Sequence, residues 1–168
     1  CWLNPTWRAT DHRPEFLVRV ARDYFKREKE IFEQTPLEEL LRQMDAAGVE
    51  RAILTIDAGD PEPYCEVARA FPGKFICSAM IDPTAGMQAL RLIDKLVTKH
   101  DIRLLRITPF LINRPPNDKV YYPVYAKCIE HDVPISINTG IPGPPMPAEC
   151  QRPLYLDEVC LFYPELKL

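Results

Sequence analysis

Five short apolar runs recur along the chain, each preceded by a helical pattern, and this alternation limits the fold more than any other feature. Strands are expected at 51–56, 75–80, 103–107, 133–138 and 166–168. Each is a brief β-branched or apolar run of the kind that parallel sheets bury on both faces. Between them lie helical periodicities at 62–71 (Tyr64, Val67, Ala68, Phe71), 86–99 (Leu90, Ile93, Val97), 120–131 (Val120, Val124, Cys128) and 153–163 (Leu156, Val159, Cys160, Tyr163). Upstream, the pattern of Val20 and Tyr24 following Phe16 predicts a helix over 13–33. A second is predicted over 35–48, with Thr35 as N-cap, Glu38 three residues on, Pro36 at the first helical position and Gly48 as the stop. Strand and helix in strict alternation imply α/β architecture, a parallel sheet with helices outside it. Right-handed crossovers leave a (β/α)8 barrel or an open, doubly wound parallel sheet as the choices.

Loop length separates two rims. Every helix-to-strand connection is short (47–50, 72–74, 100–102, 131–132, 164–165), whereas the strand-to-helix connections lengthen along the chain: 57–60, 82–86, 108–119, 139–152. Proline concentrates in the two longest, with Pro109, Pro115 and Pro116 in one and Pro142, Pro144, Pro145 and Pro147 in the other. Ligands bind at the carboxyl ends of parallel strands in barrels and open sheets alike. The stiff proline loops therefore belong to the functional rim.

The net charge of −3, from 24 acidic and 21 basic residues, gives no electrostatic footing for nucleic-acid or membrane partners. No apolar run approaches the roughly 18 residues of a membrane span. With neither a secretory leader nor close cysteine pairs, a cytoplasmic location is expected. Cys77, Cys128 and Cys160 sit within apolar patterns and read as small hydrophobes. The chain opens on Cys1 and stops at Leu168 as a strand begins, so a segment of a longer protein is expected.

The strand ends nominate Asp57, Asp82, Thr108 with nearby Arg106, and Asn138 with Thr139. Asp57 and Asp82 also fit plain turn roles, Asp82 more so because Pro83 follows it. Arg106 interrupts the apolar run Leu104, Leu105, Ile107, and a charge there must be paired or face a solvated cavity. At the mouth of a site it is a natural carboxylate clamp, with a structural ion pair as the equal alternative. Asn138 either orients a substrate by hydrogen bonding or caps the turn before Gly140. His100 and His131 fall on the short-loop rim and read as helix C-terminal residues favoured by the dipole. His12 precedes the first helix. H-x-H, H-E-x-x-H, G-x-S-x-G, Walker and G-x-G-x-x-G patterns are all absent from the sequence.

Several segments carry a family resemblance. The run Tyr121-Tyr-Pro-Val-Tyr-Ala-Lys-Cys-Ile-Glu-His-Asp-Val-Pro-Ile-Ser-Ile-Asn-Thr-Gly-Ile-Pro-Gly143 is followed by Leu156-Asp-Glu-Val and Phe162-Tyr-Pro-Glu-Leu166. Upstream stand Met44-Asp-Ala-Ala-Gly-Val-Glu-Arg-Ala-Ile-Leu54, Phe71-Pro-Gly-Lys-Phe75 and Leu104-Leu-Arg-Ile-Thr-Pro-Phe110. Over about 35–168 the chain resembles the amidohydrolase-related family of TIM-barrel metal-dependent hydrolases and decarboxylases, which includes aminocarboxymuconate semialdehyde decarboxylase. The resemblance implies an eight-stranded barrel of which this chain carries strands two to five and the start of six. It also implies two units, a helical arm or insertion over 1–34 and a partial barrel over 35–168.

Such enzymes hold a divalent metal, commonly zinc, through an H-x-H on the first strand, a middle-strand His and a late Asp. That donor set leaves a coordination position open for chemistry. Here Asn138 stands at the middle-strand His position, so no metal ligand is assigned to this segment, and zinc is expected only in the full-length protein. The function implied is a metal-dependent hydrolase or decarboxylase acting on a small carboxylated or cyclic substrate. Arg106, Thr108, Asn138, Thr139 and Asp57 would line its pocket. The competing reading is a degenerate barrel that binds a ligand or partner without metal. A homodimer through the 13–33 helix is a further expectation, and so is instability or aggregation of the isolated chain, because five strands leave a barrel open.

Overall fold

The computed structural model describes residues 15–29 and 35–168. The elements are α1 (Glu15–Arg19), α2 (Leu37–Ala46), β1 (Ala52–Ile56), α3 (Glu62–Ala70), β2 (Phe75–Met80), α4 (Met87–His100), β3 (Leu104–Ile107), α5 (Pro109–Ile112), α6 (Tyr122–Glu130), β4 (Ile135–Ile137) and α7 (Tyr155–Phe162). No described helix is long and apolar enough to cross a membrane.

The four strands pair in parallel in the order β1-β2-β3-β4. A doubly wound sheet reverses its direction of growth at a switch point. Here every strand adds to the same side, which is the winding of a barrel, and the four strands form an open α/β part-barrel. Past β4, the Ile135 N–H donates to the Lys167 carbonyl at 2.8 Å, but residues 166–168, where a fifth strand is expected, form no strand.

Alternation along each strand decides what the two faces carry. Leu54, Ile56, Cys77, Ala79, Leu105, Ile107 and Ile135 are buried in one core with helix residues such as Ile93 and Leu96 of α4, Val124 and Tyr125 of α6, and Val159 of α7. The residues between them, Ile53, Thr55, Ile76, Ser78, Met80, Leu104, Arg106 and Ser136, take the other face, the inner face of the part-barrel. At this end of the inner face Ile53 is 45% exposed and Ile76 41%.

The short rim is closed by left-handed residues. Gly48, Gly73, Asp101 and Asp132 have φ of 65°, 78°, 53° and 53° and follow α2, α3, α4 and α6 in turn. Val49 donates back to the Met44 carbonyl and Val133 to that of Cys128, the wide bonds of Schellman closures. On the same rim His131 Nε2 lies 2.7 Å from Asp94 Oδ1 and Lys127 Nζ 2.9 Å from it, tying α6 to α4. His100 Nδ1 pairs with Glu62 Oε2 at 3.2 Å. Both histidines thus meet carboxylates on neighbouring helices rather than acting through the dipole alone.

Three expectations about the helices are corrected. The helix predicted over 13–33 is not continuous: α1 runs into a single π-helical turn, Val20–Tyr24, and Lys26 at φ 57° ends it. A residue with a Cβ in that region cannot continue a right-handed helix. Residues 1–14 and 30–34, including His12, lie outside the described residues, as does the Phe16 side chain. Thr35 does not cap α2, because Pro36 is extended (ψ 148°) and itself takes the cap position. Cys160 is exposed, not packed: Val159 is the buried residue of α7, and Leu161 and Phe162 beside it are 75% and 66% exposed.

Three outcomes follow from this packing. Leu105 is fully buried in the middle of the sheet, so Leu105→Ala should cost about 2–5 kcal/mol in urea unfolding. Burial pushes the Cys77 and Cys128 thiols up to about 12. Peptide mapping after brief alkylation of the folded protein should therefore find Cys160 modified and Cys77 and Cys128 protected until unfolding. Hydrogen bonds from His131 and Lys127 hold the Asp94 carboxyl below the ordinary carboxylate range. A depressed pKa stabilises the fold fully above about pH 4 and ceases to do so as the pH falls through the lower folded value. Asp94→Asn should flatten that acid limb in pH-dependent melting.

Candidate functional site at the strand ends

The rim that carries the candidates is built from the turns after β1, β2, β3 and β4. Asp57 follows β1, and its Oδ1 accepts the Gly59 N–H at 2.8 Å, an Asx turn. A Cβ at Gly59 would stand 3.2 Å from that same oxygen, so the turn is built around a residue without one. Asp82 follows β2 and does the same more fully, accepting the Thr84 N–H at 2.9 Å and its hydroxyl at 2.6 Å. Gly86 closes this turn at φ 56° and ψ −127°, backbone that suits glycine alone, and launches α4.

Thr108 ends β3 and starts α5. Its carbonyl accepts the Leu111 N–H at 3.0 Å, while its hydroxyl makes no cap bond. It faces a cavity of about 390 Å³ between the ends of β2 and β3, with Met80, Asp82, Leu111 and Tyr121 among the walls. Asn138 lies just past β4, its N–H donating to the Ile107 carbonyl at 3.3 Å. The register Arg106↔Ser136 and Ile107↔Ile137 brings Thr108 and Asn138 side by side, with Arg106 two residues below Thr108 on the inner face. Thr139 is exposed at the start of the long loop. Asp57 stands apart, at the end of β1 on the far side of β2 and β3.

Arg106 does not form a structural ion pair with any described residue. Its Nη1 donates to Thr55 Oγ1 at 3.0 Å, a neutral acceptor, so no carboxylate among the described residues compensates the guanidinium charge.

Both long loops are pinned from within. The Tyr121 hydroxyl donates to the Arg114 carbonyl at 3.1 Å and the Tyr125 hydroxyl to the Pro116 carbonyl at 2.7 Å, fastening the loop after β3 onto α6. Burial raises both phenols above their usual range. The loop after β4 is closed by Gln151, which is 2% exposed. Its Nε2 donates to the Gly140 carbonyl at 3.0 Å, and the Gly140 N–H returns to the Gln151 carbonyl at 2.8 Å. Gly140 sits at φ 86°, which this reciprocal pair requires. Gln151 Oε1 is buried and has no partner. Tyr24, beyond α1, lies against the same loop, where a Cβ on Gly143 would come within 3.6 Å of its hydroxyl.

Thr55, Tyr121, Tyr125 and Gln151 were not among the sequence candidates. Thr55 carried a signal, since it breaks an apolar strand as Arg106 does. Gln151 carried none, standing in a polar stretch without periodicity.

The described rim does not fit a bound metal. Its carboxylates are Asp57, Asp60, Asp82, Asp118 and Glu149; Asp57 and Asp82 each hold an oxygen in an Asx turn, Asp118 and Glu149 pair with Arg114 and Arg152, and no imidazole stands among its described residues. The one cluster of metal-capable groups found among the described residues, Asp94, Glu130 and His131, lies on the opposite rim. Lys127 Nζ there stands 2.9 Å from both carboxylates and supplies the positive charge itself.

Comparison with known proteins places this geometry. Among curated protein sequences none matches. The crystal structure of 5-carboxyvanillate decarboxylase LigW from Sphingomonas paucimobilis superposes with a TM-score of 0.68 at 16% identity, covering 96% of this chain and 60% of that one. A 2,6-dihydroxybenzoate decarboxylase, solved with 2,6-dihydroxybenzoate, gives a TM-score of 0.64 at 17% identity, covering 91% and 61%. The 5-carboxyvanillate decarboxylase of Novosphingobium aromaticivorans, solved with manganese and 4-hydroxy-3-methoxy-5-nitrobenzoic acid, gives 0.55 at 17%, covering 80% and 40%. The chain thus spans about three fifths of the length of the first of these relatives. A family model described as amidohydrolase matches residues 1–168. By that match over its whole length, the chain belongs to the amidohydrolase family.

Proposed function

We infer that this chain is part of a metal-dependent decarboxylase or hydrolase acting on a small cyclic carboxylic acid, with an aromatic carboxylate as the favoured substrate. The observation that carries the reading is Arg106: a cation on the inner face of a barrel sheet, bonded to a hydroxyl instead of a carboxylate. A guanidinium so placed can donate to both oxygens of a carboxylate in parallel hydrogen bonds. The decarboxylase neighbours, with benzoate-type ligands in two of them, support the ring.

In this reading Arg106 binds and orients the carboxylate. Thr108 and Asn138, adjacent across β3 and β4, supply a hydroxyl and an amide to a ring substituent. Thr139 borders the same mouth, whereas Asp57, held in its Asx turn at the end of β1, stands apart from it. The proline loops, tied down by Tyr121, Tyr125 and Gln151, wall the ring from water without having to fold over it. Manganese in one relative supports a divalent ion in the holoenzyme, with zinc resting on the family resemblance alone. When bound, such an ion supplies Lewis-acid polarisation, and its ligands are not the described residues of this rim. A reducing, cytoplasmic location fits the five described cysteines, all of them free.

A second reading is favoured by one observation, the amide of Asn138 where the family places an imidazole: a barrel that binds its carboxylate ligand without metal. Elemental analysis of the full-length protein separates the two. Stoichiometric divalent metal is expected, and a metal-free protein that still binds ligand would establish the second reading.

Under the enzyme reading, Arg106→Met removes charged hydrogen bonds worth about 1.5–3 kcal/mol. It should therefore raise KM for a benzoate-type substrate by roughly 10- to 100-fold. Unchanged KM in a folded variant would remove Arg106 from the site. Asn138→Ala should lower kcat/KM by about tenfold, on the order of one neutral hydrogen bond to substrate.

A further inference from the structure

The bond between Arg106 and Thr55 spans more than a neighbouring strand. Arg106 is on β3 and Thr55 on β1, with β2 between them. Parallel strands lie about 4.8 Å apart, so the arginine side chain is laid across roughly 9–10 Å of sheet. It crosses β2 on the face shared by Ser78 and Met80. Met80 is the register partner of Arg106, and Ser78 that of Thr55. Thr55 is 3% exposed and Ser78 fully buried, and the Ser78 hydroxyl turns into the sheet, donating to the Leu54 carbonyl at 3.4 Å. Such a crossing has two requirements: a fixed acceptor on the far strand and a small residue beneath the guanidinium. The positions of Thr55 and Ser78 meet them.

We propose that Thr55 is a positioning residue for Arg106, with Ser78 providing the gap, so that the guanidinium is held flat on the inner face before a carboxylate arrives. The proposal rests on the reading of Arg106 as the carboxylate clamp. A free arginine side chain loses rotamer entropy when it is ordered. The Thr55 bond meets that cost in the unliganded protein, and one N–H given to Thr55 leaves four others for an anion. A neutral hydroxyl is the right partner for this task. A carboxylate at position 55 would neutralise the guanidinium and compete with the ligand.

The test is benzoate titration by calorimetry on the full chain, with melting temperatures run in parallel. Thr55→Val, close in shape but without an acceptor, should weaken benzoate binding about tenfold while Thr55→Ser stays within twofold of the parent. Ser78→Val keeps the acceptor but fills the crossing and should weaken binding comparably, which keeps the idea falsifiable if Thr55→Val fails to fold. Retention of parental affinity by folded Thr55→Val, with loss in Arg106→Met, overturns the positioning role and leaves the clamp standing. Retained affinity in Arg106→Met overturns the clamp and this inference with it. A readout independent of ligand is the Arg106 side-chain N–H signals in 15N NMR. They should be protected from exchange in the parent and Thr55→Ser and lost in Thr55→Val; unaltered protection in Thr55→Val overturns the positioning role.

Discussion

A parallel sheet covered by helices on one side forces every strand to serve two environments at once. Leu105 and Ile107 must enter the core beneath α4 and α6, and the residue between them, Arg106, therefore has to face the other way. The same period of two places Thr55 between Leu54 and Ile56, and Ser78 between Cys77 and Ala79. The polar layer of the inner face is thus a geometric by-product of core burial. Polar residues could collect in this layer because the helix-facing neighbours of Thr55, Ser78 and Arg106 carry the core. Shifting one strand by one residue would exchange Arg106 with a core leucine, so the energetics of the core also guard the register of the site.

Much of this was legible because buried parallel strands and amphipathic helices leave strong local periodicities. The four strands fall where the apolar runs predict them, and the loop asymmetry between the rims holds in the structure. Arg106 was legible as an interruption. Its partner was not, because the identity of a residue two strands away depends on register between segments 51 residues apart. The same limit hid Gln151, whose role lies in one loop closing on itself. Where reading went astray, the cause was local backbone. The π-helical turn at Val20–Tyr24 and the extended Pro36 moved helix boundaries that side-chain pattern alone suggested. Cys160 followed the apolar pattern of α7 onto a face that the described core does not cover.

The rims divide labour in backbone terms as well. Gly48, Gly73, Asp101 and Asp132 each spend one left-handed residue to turn a helix back into the sheet within a few positions. Such turns are compact and internally hydrogen-bonded. The opposite rim uses longer connections, tethered through side chains: two tyrosine hydroxyls and one glutamine amide bond to main-chain carbonyls. Backbone closure makes the first rim rigid whatever its side chains. The second also depends on side-chain anchors, Tyr121, Tyr125 and Gln151 among them.

That difference sets how the pocket wall can vary over evolutionary time. Tyr121 and Tyr125 grip the loop after β3 by its carbonyls at Arg114 and Pro116, and a carbonyl is present whatever side chain its residue bears. Side chains between Thr108 and Pro116 can therefore be exchanged one at a time without loosening the anchors. A wall held this way selects ligands by fit to a preset shape, with little ordering entropy charged to binding. Selectivity can then drift by single substitutions at the loop's inward side chains, with no hinge to be retuned.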